Sequence, residues 1–351
     1  MAITEYECPA CGGTMAFDAQ TQMLKCEYCD TQIKVSDYVA PHKPGPEATA
    51  ANEWQASETE GMYVYSCQSC GGEIIADETL GASQCPFCGN NVVMKDKFEG
   101  GLKPDYIIPF RKTKEDAMNT YRNYVKGKAL LPKVFSAENH IDKIRGIYIP
   151  YWLYDSDLQA DIAYEATKIK SWSDGDYNYT DTSYFEVLRS GSESFEHVPV
   201  DASKEMPDDL MESIEPFDFN DVQPFNGGYL AGFLANKYDV EEGASRERAR
   251  QRVKQQISYD FRNTVRGYST VREVNKNIRE RSFSHKYALY PVWILNTTWR
   301  DNHYMFAMNG QTGKFLGNLP SDKGLAIKYY LAFGFGLSII VFIINMIVGI
   351  F

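Results

Sequence analysis

Short apolar runs, dense in aromatic and β-branched residues, recur through the later two thirds of the chain. Runs of this kind are typical of strands. They lie at residues 106–110, 146–154, 287–298 and 304–308, and a Gly-Gln-Thr-Gly turn signal follows at 310–313. The pattern predicts a sheet-forming domain that ends in a hairpin turn.

Two further segments, residues 114–128 and 245–257, repeat their apolar positions at helical spacing and predict helices. Ser245 opens the second segment and predicts a side-chain cap for the first turn. Strands and helices together predict a mixed α+β, aromatic-rich domain over residues 104–320.

The C-terminal residues carry a membrane signal. Residues 331–351 form a run of 21 residues without a charge. As a helix this run spans about 31 Å, which matches a hydrocarbon core of about 30 Å. It predicts one transmembrane helix over residues 329–351. Lys323 and Lys328 flank its N-terminal side, so the positive-inside rule places residues 1–320 in the cytoplasm.

All eight cysteines fall into four Cys-x-x-Cys pairs: Cys8/Cys11, Cys26/Cys29, Cys67/Cys70 and Cys85/Cys88. Two pairs separated by 14 residues occur at residues 8–29 and again 59 residues later. A tetrahedral zinc ion takes four thiolates from two such knuckles, and a shell filled by thiolates is structural rather than catalytic. The pattern predicts two structural Zn²⁺ ions, in zinc ribbons at residues 1–38 and 63–97.

Redox pairs and disulfides are the alternatives to zinc, but neither comes as matched pairs of pairs at equal spacing. The first residues are acidic and lack an apolar signal region, which favours the reducing cytosol. Residues 39–62, between the ribbons, contain a stretch rich in Pro, Ala and acid and predict a flexible linker.

Charge is unevenly distributed. The chain carries a net −11, and residues 1–100 have 5 bases against 15 acids. Residues 155–221 have 18 acids against 4 bases and predict a partly disordered acidic loop. Residues 243–286 have 12 bases against 4 acids, which predicts either a solvated face or contact with anionic lipid or an acidic partner.

No constellation of catalytic residues is evident. The five histidines stand alone, no cysteine is left unpaired, and residues 310–314 lack the glycine and the hydroxyl residue of a phosphate-binding loop. We therefore expect no enzymatic activity.

The knuckles Cys8-Pro-Ala-Cys11-Gly12 and Cys26-Glu-Tyr-Cys29 resemble the zinc ribbon of transcription factor IIB. The double ribbon, residues 104–110 and 146–155 and the apolar tail together resemble a bacterial family of tail-anchored zinc-ribbon membrane proteins. Some members are encoded beside a phage-shock-protein-A homologue and a flotillin-like (SPFH) protein. The resemblance implies that such proteins are partners, which the chain helps to place at the membrane.

Two functions remain open at this stage. The first is a membrane-anchored cytoplasmic adaptor that recruits or scaffolds partner proteins, as in envelope stress. The second is a nucleic-acid-binding protein of transcription or replication, tethered to the membrane. Charge favours the adaptor and makes nucleic acid an unlikely partner, because the ribbons offer Lys25, Lys34 and few other bases to a phosphate backbone.

Overall fold

Long antiparallel strands dominate the protein in its computed structural model. The structure describes residues 6–38, 54, 59, 62–77, 85–90, 92–97, 102–300 and 302–348. Most of the linker predicted at 39–62 lies outside these residues, as do residues 349–351 of the predicted transmembrane segment.

The described residues contain fourteen strands and five α-helices. The strands are β1 Met15–Asp18, β2 Met23–Cys26, β3 Gln32–Ile33, β4 Met62–Ser66, β5 Glu73–Asp77, β6 Val93–Lys97, β7 Tyr106–Ile107, β8 Arg145–Asp174, β9 Tyr177–Asp201, β10 Gln223–Pro224, β11 Leu234–Asn236, β12 Thr270–Trp299, β13 Asn302–Asn309 and β14 Phe315–Gly317. The helices are α1 Lys114–Val125, α2 Glu138–Ile141, α3 Asp208–Ser213, α4 Glu242–Thr264 and α5 Lys323–Val348. The mixed α+β class is therefore confirmed, and each predicted strand contains or overlaps an observed one.

β8 and β12 form the spine of the main sheet. They run antiparallel from Arg145 opposite Ile294 to Thr167 opposite Thr270. β9 pairs antiparallel with β8 on its other side, whereas β11 pairs parallel with β8 near its start. β13 extends the sheet beyond β12, and β14 pairs with β13 after the predicted turn at 310–313.

Residues 145–154 of β8 and 285–299 of β12 are covered on both faces. We call this half of the spine, together with the elements that pack on it, the base. Odd-numbered β8 residues such as Ile147 and Tyr151 pack with ribbon 2 and α3. Even-numbered residues such as Tyr148 and Trp152 pack with α1 and α2. Burial on both faces explains why residues 146–154 are a continuous apolar run rather than an alternating one.

The other half of the spine, residues 155–174 of β8 and 270–284 of β12, projects from the base. With residues 177–198 of β9 it forms a three-stranded arm. α4 covers only one of its faces, where Val253 and Ile257 pack on alternate β8 residues from Leu158 to Ala166. At about 3.3 Å per residue, the 30 residues of β8 extend over about 100 Å. The arm ends in a tight turn at Gly175, whose φ of 59° suits glycine.

Two expectations were wrong. The acidic segment 155–221 was expected as a partly disordered loop, but residues 155–174 and 177–201 lie in β8 and β9. Its acids alternate with apolar or small residues, so Asp157 and Asp161 face away from α4. The hydroxyls of Ser194 and Ser282 donate to Asp157 and lower the pKa of its carboxyl.

The expected cap at Ser245 was also wrong, because the helix begins one turn earlier. α4 starts at Glu242 with Glu241 at its N-cap, and Ser245 is buried within the helix. The helix also ends later than predicted, at Thr264, so it is longer at both ends than the apolar spacing of residues 245–257 indicated.

α5 confirms the predicted apolar C-terminal helix and begins at Lys323, earlier than predicted. The Asp322 side chain accepts the backbone N–H of Gly324 and caps its first turn. Within Lys323–Met346 the most apolar stretch of 18 residues has a mean hydropathy of 2.0, and none of its residues is buried against the described protein. By length and composition this helix could cross a membrane.

Candidate metal centres

The first cysteine cluster is built by two knuckles of ribbon 1, one before β1 and one after β2. Cys8 Sγ lies 3.5 Å from Cys29 Sγ, and Cys11 Sγ lies 3.6 Å from Cys26 Sγ. The Gly12 N–H donates to the Cys8 carbonyl at 2.8 Å, and Gly12 has a φ of 75°. Glycine tolerates this left-handed turn, which brings the two thiols of the knuckle to one side.

The second cluster repeats this geometry in ribbon 2. The Sγ atoms of Cys67 and Cys88 lie 3.4 Å apart, and those of Cys70 and Cys85 lie 3.6 Å apart. Gly71 and Gly89 follow their knuckles with φ of 86° and 77°, as Gly12 does in ribbon 1. Glycines therefore close three of the four knuckles, and Asp30, with a φ of 57°, closes the other.

Both clusters fit a metal ion. In each, the four Sγ atoms lie within 4.8 Å of one another, and all eight cysteines are free thiols. Four thiolates about 2.3 Å from a central ion would stand about 3.8 Å apart, close to the observed spacing, whereas a disulfide needs about 2.05 Å. The structure thus brings the eight predicted site residues together in the two predicted groups of four.

Both clusters contain thiols that are disposed to ionise. The Thr31 hydroxyl, 3.1 Å from Cys29 Sγ, lowers the pKa of Cys29 to about 6. Burial opposes ionisation of Cys67, but backbone N–H groups of Cys70 and Ser69 outweigh it and lower that pKa to about 7. Thiolate is the form that binds a metal.

The two ribbons differ in how they meet the base. Ribbon 1 has its own sheet of β1, β2 and β3, and it docks through the Phe17 N–H on the Ala231 carbonyl at 3.0 Å and Gln22 Nε2 on the Phe110 carbonyl at 2.8 Å. Ribbon 2 belongs to the main sheet, because β5 pairs with β11 at Ile74 opposite Asn236. This pairing joins residues far apart in sequence, and the sequence pattern did not indicate it.

A cleft of about 1020 Å³ lies between the two ribbons, and Arg145 and Gly146 at the start of β8 line it. Its wall includes the second cluster's Cys85 and Cys88, together with charged residues of both signs. His140 also lines it, but the ring is held by Thr297 Oγ1 at 2.6 Å from Nε2, and burial lowers its pKa. We find no nucleophile–base pair in the described lining.

The basic segment 243–286 proves to be extensively paired with acids. The pairs with nitrogen–oxygen contacts within 4.0 Å are Arg246–Glu242, Arg248–Asp208, Arg250–Glu280, Arg252–Glu215, Arg272–Glu165, Lys276–Glu273, Arg279–Asp161 and Lys286–Asp105. Several of the acids come from the acidic segment 155–221. The opposite net charges of residues 155–221 and 243–286 could have predicted this pairing from the sequence.

Comparison with known proteins gives one informative relative. The chain is 30% identical over 347 residues to a Bacillus subtilis (strain 168) protein with the name "Uncharacterized protein YdjG", and the match covers 99% of each chain. No protein-family model matches the chain. No solved structure matches it either.

Proposed function

This chain belongs to the same family as YdjG of Bacillus subtilis, and on that premise we propose that it is a membrane-anchored zinc-ribbon adaptor. Two structural zinc ions stabilise its ribbons, α5 spans the membrane, and the folded residues before α5 hold partner proteins on the cytoplasmic side. The observation that carries this proposal is α5, an apolar helix without a partner surface in the described protein.

Zinc suits both clusters because four thiolates at tetrahedral spacing are its usual structural shell. Cys8, Cys11, Cys26 and Cys29 would hold one ion, and Cys67, Cys70, Cys85 and Cys88 the other. Such a shell has no position for water, so each ion would link strands rather than activate a substrate. Ribbon 1 has a small core of its own, and zinc would supply much of its folding free energy.

Membrane insertion accounts for the exposure of α5. Large side chains such as Phe333, Phe335 and Phe342 stand more than two thirds exposed around the helix. In water this surface would be costly, whereas a hydrocarbon core of about 30 Å accepts a helix of this length. Lys323 and Lys328 at its start favour a cytoplasmic location for the preceding residues.

The pairing of the basic segment supports a protein partner over nucleic acid. A surface that binds a phosphate backbone gains affinity from Lys and Arg that release counterions. Here Arg248, Arg250 and Arg252 already face carboxylates. Contact between residues 243–286 and anionic lipid stays a prediction, and the same pairing lowers its expected strength.

The experiment compares the full chain with a variant that lacks residues 331–351. We expect the full chain to stay with membranes through a high-salt wash and the truncated chain to be soluble, both with two zinc ions per chain. Proteins recovered with the full chain should include phage-shock-protein-A-like or SPFH-type proteins, and the truncated chain should carry them into the soluble fraction.

Three results would contradict the proposal. A truncated chain that resists the salt wash would require another insertion element. One zinc ion or none per chain, under reducing conditions without chelator, would exclude the double ribbon. Recovery of polymerase or replication subunits in place of membrane proteins would favour the nucleic-acid alternative.

A further inference from the structure

The outer edge of β9 is a long free edge of the sheet. Among the described residues β9 pairs only with β8, over Tyr177 to Asp201. The residues Gly175 and Asp176 form a two-residue turn, so Asp174 and Tyr177 are a hydrogen-bonded pair. Odd-numbered residues of β9 therefore bond β8, and even-numbered residues from 178 to 194 point their N–H and C=O groups outward.

This edge has few of the features with which proteins usually block a free edge. Edge strands are commonly protected by lysines, prolines or a short length. β9 has 25 residues, no lysine, and its one proline only at Pro199, close to the base. A bulge lies near its base end, and residues 177 to 194 pair with β8 in unbroken register.

Large apolar side chains are concentrated on the same part of the arm. Tyr184 is 80% exposed and Leu188 is 65% exposed, both on the face that α4 leaves open. Tyr177 and Tyr179, nearer the tip, are also exposed but lie on the opposite face of the arm, where the Tyr179 ring stacks on Trp172 at 5.5 Å. Exposed apolar patches of this kind mark interaction surfaces.

Charge distinguishes this edge from the rest of the arm. On β8 and β12 several acids have basic partners, as in Arg272–Glu165 and Arg279–Asp161. In β9, Glu186 and Glu193 have no ion pair with any base that the structure describes. The single base of β9, Arg189, donates to Thr264 at the end of α4 instead.

Glu193 also lies close to another acid. Asp260 of α4 approaches it, and burial together with this neighbour raises the pKa of Glu193. A cation supplied from outside would relieve this repulsion, whereas an acidic partner would increase it.

We infer that the free edge of β9, residues 178–194, binds an extended basic segment of a partner protein as an added β-strand. The partner strand places Lys or Arg near Glu186 and Glu193 and apolar residues near Tyr184 and Leu188. The inference rests on the proposed adaptor function and names its partner surface. Backbone hydrogen bonds supply affinity in this mode, and alternate side chains supply specificity.

A synthetic probe tests the edge on the full chain in detergent. The probe is a fluorescein-labelled nine-residue peptide in which threonine alternates with valine and lysine. Its controls are the same peptide with glutamate for lysine, and the same peptide with alternate amides N-methylated. Fluorescence anisotropy should show binding of the lysine peptide at least about ten times tighter than either control.

Two variants of the chain locate the binding. Thr182→Pro removes an outward N–H and leaves the hydrogen bonds between β9 and β8 intact, so it should weaken peptide binding at least about tenfold. Its control, Thr182→Ala, keeps that N–H and should change binding less than about twofold. Glu186→Lys should weaken binding about fivefold, and Glu115→Lys, the same charge change at an exposed position of α1, should not. Glu186→Lys tests the edge even if Thr182→Pro perturbs the arm.

Several outcomes would overturn the inference. One is equal binding of the glutamate and lysine peptides, and another is wild-type affinity in both Thr182→Pro and Glu186→Lys. A third is self-association of the wild-type chain that is abolished by Thr182→Pro, which would identify a second copy of the chain as the occupant. Recovery of membrane partners that Thr182→Pro leaves unchanged would place the partner surface elsewhere while the adaptor function stands. If the wild-type chain recovered no partner proteins at all, that result would instead contradict the adaptor function itself.

Discussion

The two ribbons carry the same cysteine spacing in two different surroundings. Each places four thiols within 4.8 Å of one another and turns its knuckles on residues with positive φ, which are glycines at three knuckles and Asp30 at the fourth. Ribbon 1 keeps its own three-stranded sheet, whereas ribbon 2 gives β5 and β4 to the main sheet. The thiol geometry is therefore a local property of the Cys-x-x-Cys knuckle, and the attachment of each ribbon is decided by residues outside it.

This difference has an energetic consequence. In ribbon 2, Cys67, Cys85 and Ile74 belong to the same buried cluster as Ile147 and Tyr290 of the base. In ribbon 1, the buried cluster of Met15, Phe17 and Leu24 includes only Ala231 from the base among its fully buried members. Loss of order in ribbon 2 should thus spread to the base, and loss of order in ribbon 1 should stay local.

The largest expected effect comes from removing one thiol at matched positions. Cys11 and Cys70 are both exposed, and each is the second cysteine of the first knuckle in its ribbon. Cys11→Ser and Cys70→Ser should each reduce zinc from two ions per chain to one. Cys70→Ser should also lower the thermal midpoint of the base by about 10 °C, because β5 would lose its support. Cys11→Ser should leave that midpoint nearly unchanged.

Metal analysis measures the zinc content, and thermal unfolding together with hydrogen exchange across residues 106–299 measures the stability of the base. Equal losses of base protection in both variants would show that the ribbons are equally coupled to the base. Loss of both ions in either variant would show that the sites are not independent.

The second comparison removes apolar contacts. Ile74→Ala in ribbon 2 and Leu24→Ala in ribbon 1 truncate side chains that are both fully buried. Each should cost about 2–5 kcal/mol of local stability. Ile74→Ala should shift the main unfolding transition seen by tryptophan fluorescence, since Trp152 and Trp293 lie in the base.

Leu24→Ala should instead release the first metal ion at lower denaturant while the tryptophan transition stays in place. A shared shift of the tryptophan transition in both variants would remove the distinction between the ribbons.

Sequence patterns predicted what depends on near neighbours. The cysteine spacing predicted both clusters, and apolar runs predicted the base strands, because these signals lie within a few residues of one another. The arm was missed although Leu158, Ala160 and Ile162 alternate with polar residues, since the acidic composition outweighed that short alternation. The pairing of Ile74 with Asn236 was beyond sequence reasoning, because it depends on contacts across more than a hundred residues.

The smallest expected effects concern single polar contacts that attach the ribbons. Gln22→Asn shortens the side chain that reaches the Phe110 carbonyl, and asparagine tolerates the positive φ of 59° at this position. Lys237→Gln removes the 3.0 Å ion pair with Glu73 at the edge of ribbon 2. Each should cost at most about 1 kcal/mol of overall stability.

The two variants should nevertheless differ in hydrogen exchange. Gln22→Asn should raise exchange across residues 15–26, because this hydrogen bond attaches the β1–β2 turn of ribbon 1 directly to the base. Lys237→Gln should leave exchange in β5 unchanged, since the β5–β11 ladder remains, and high salt should reproduce its small effect in the wild-type chain. Faster exchange in β5 of Lys237→Gln would show that ribbon 2 is attached by charge rather than by the sheet.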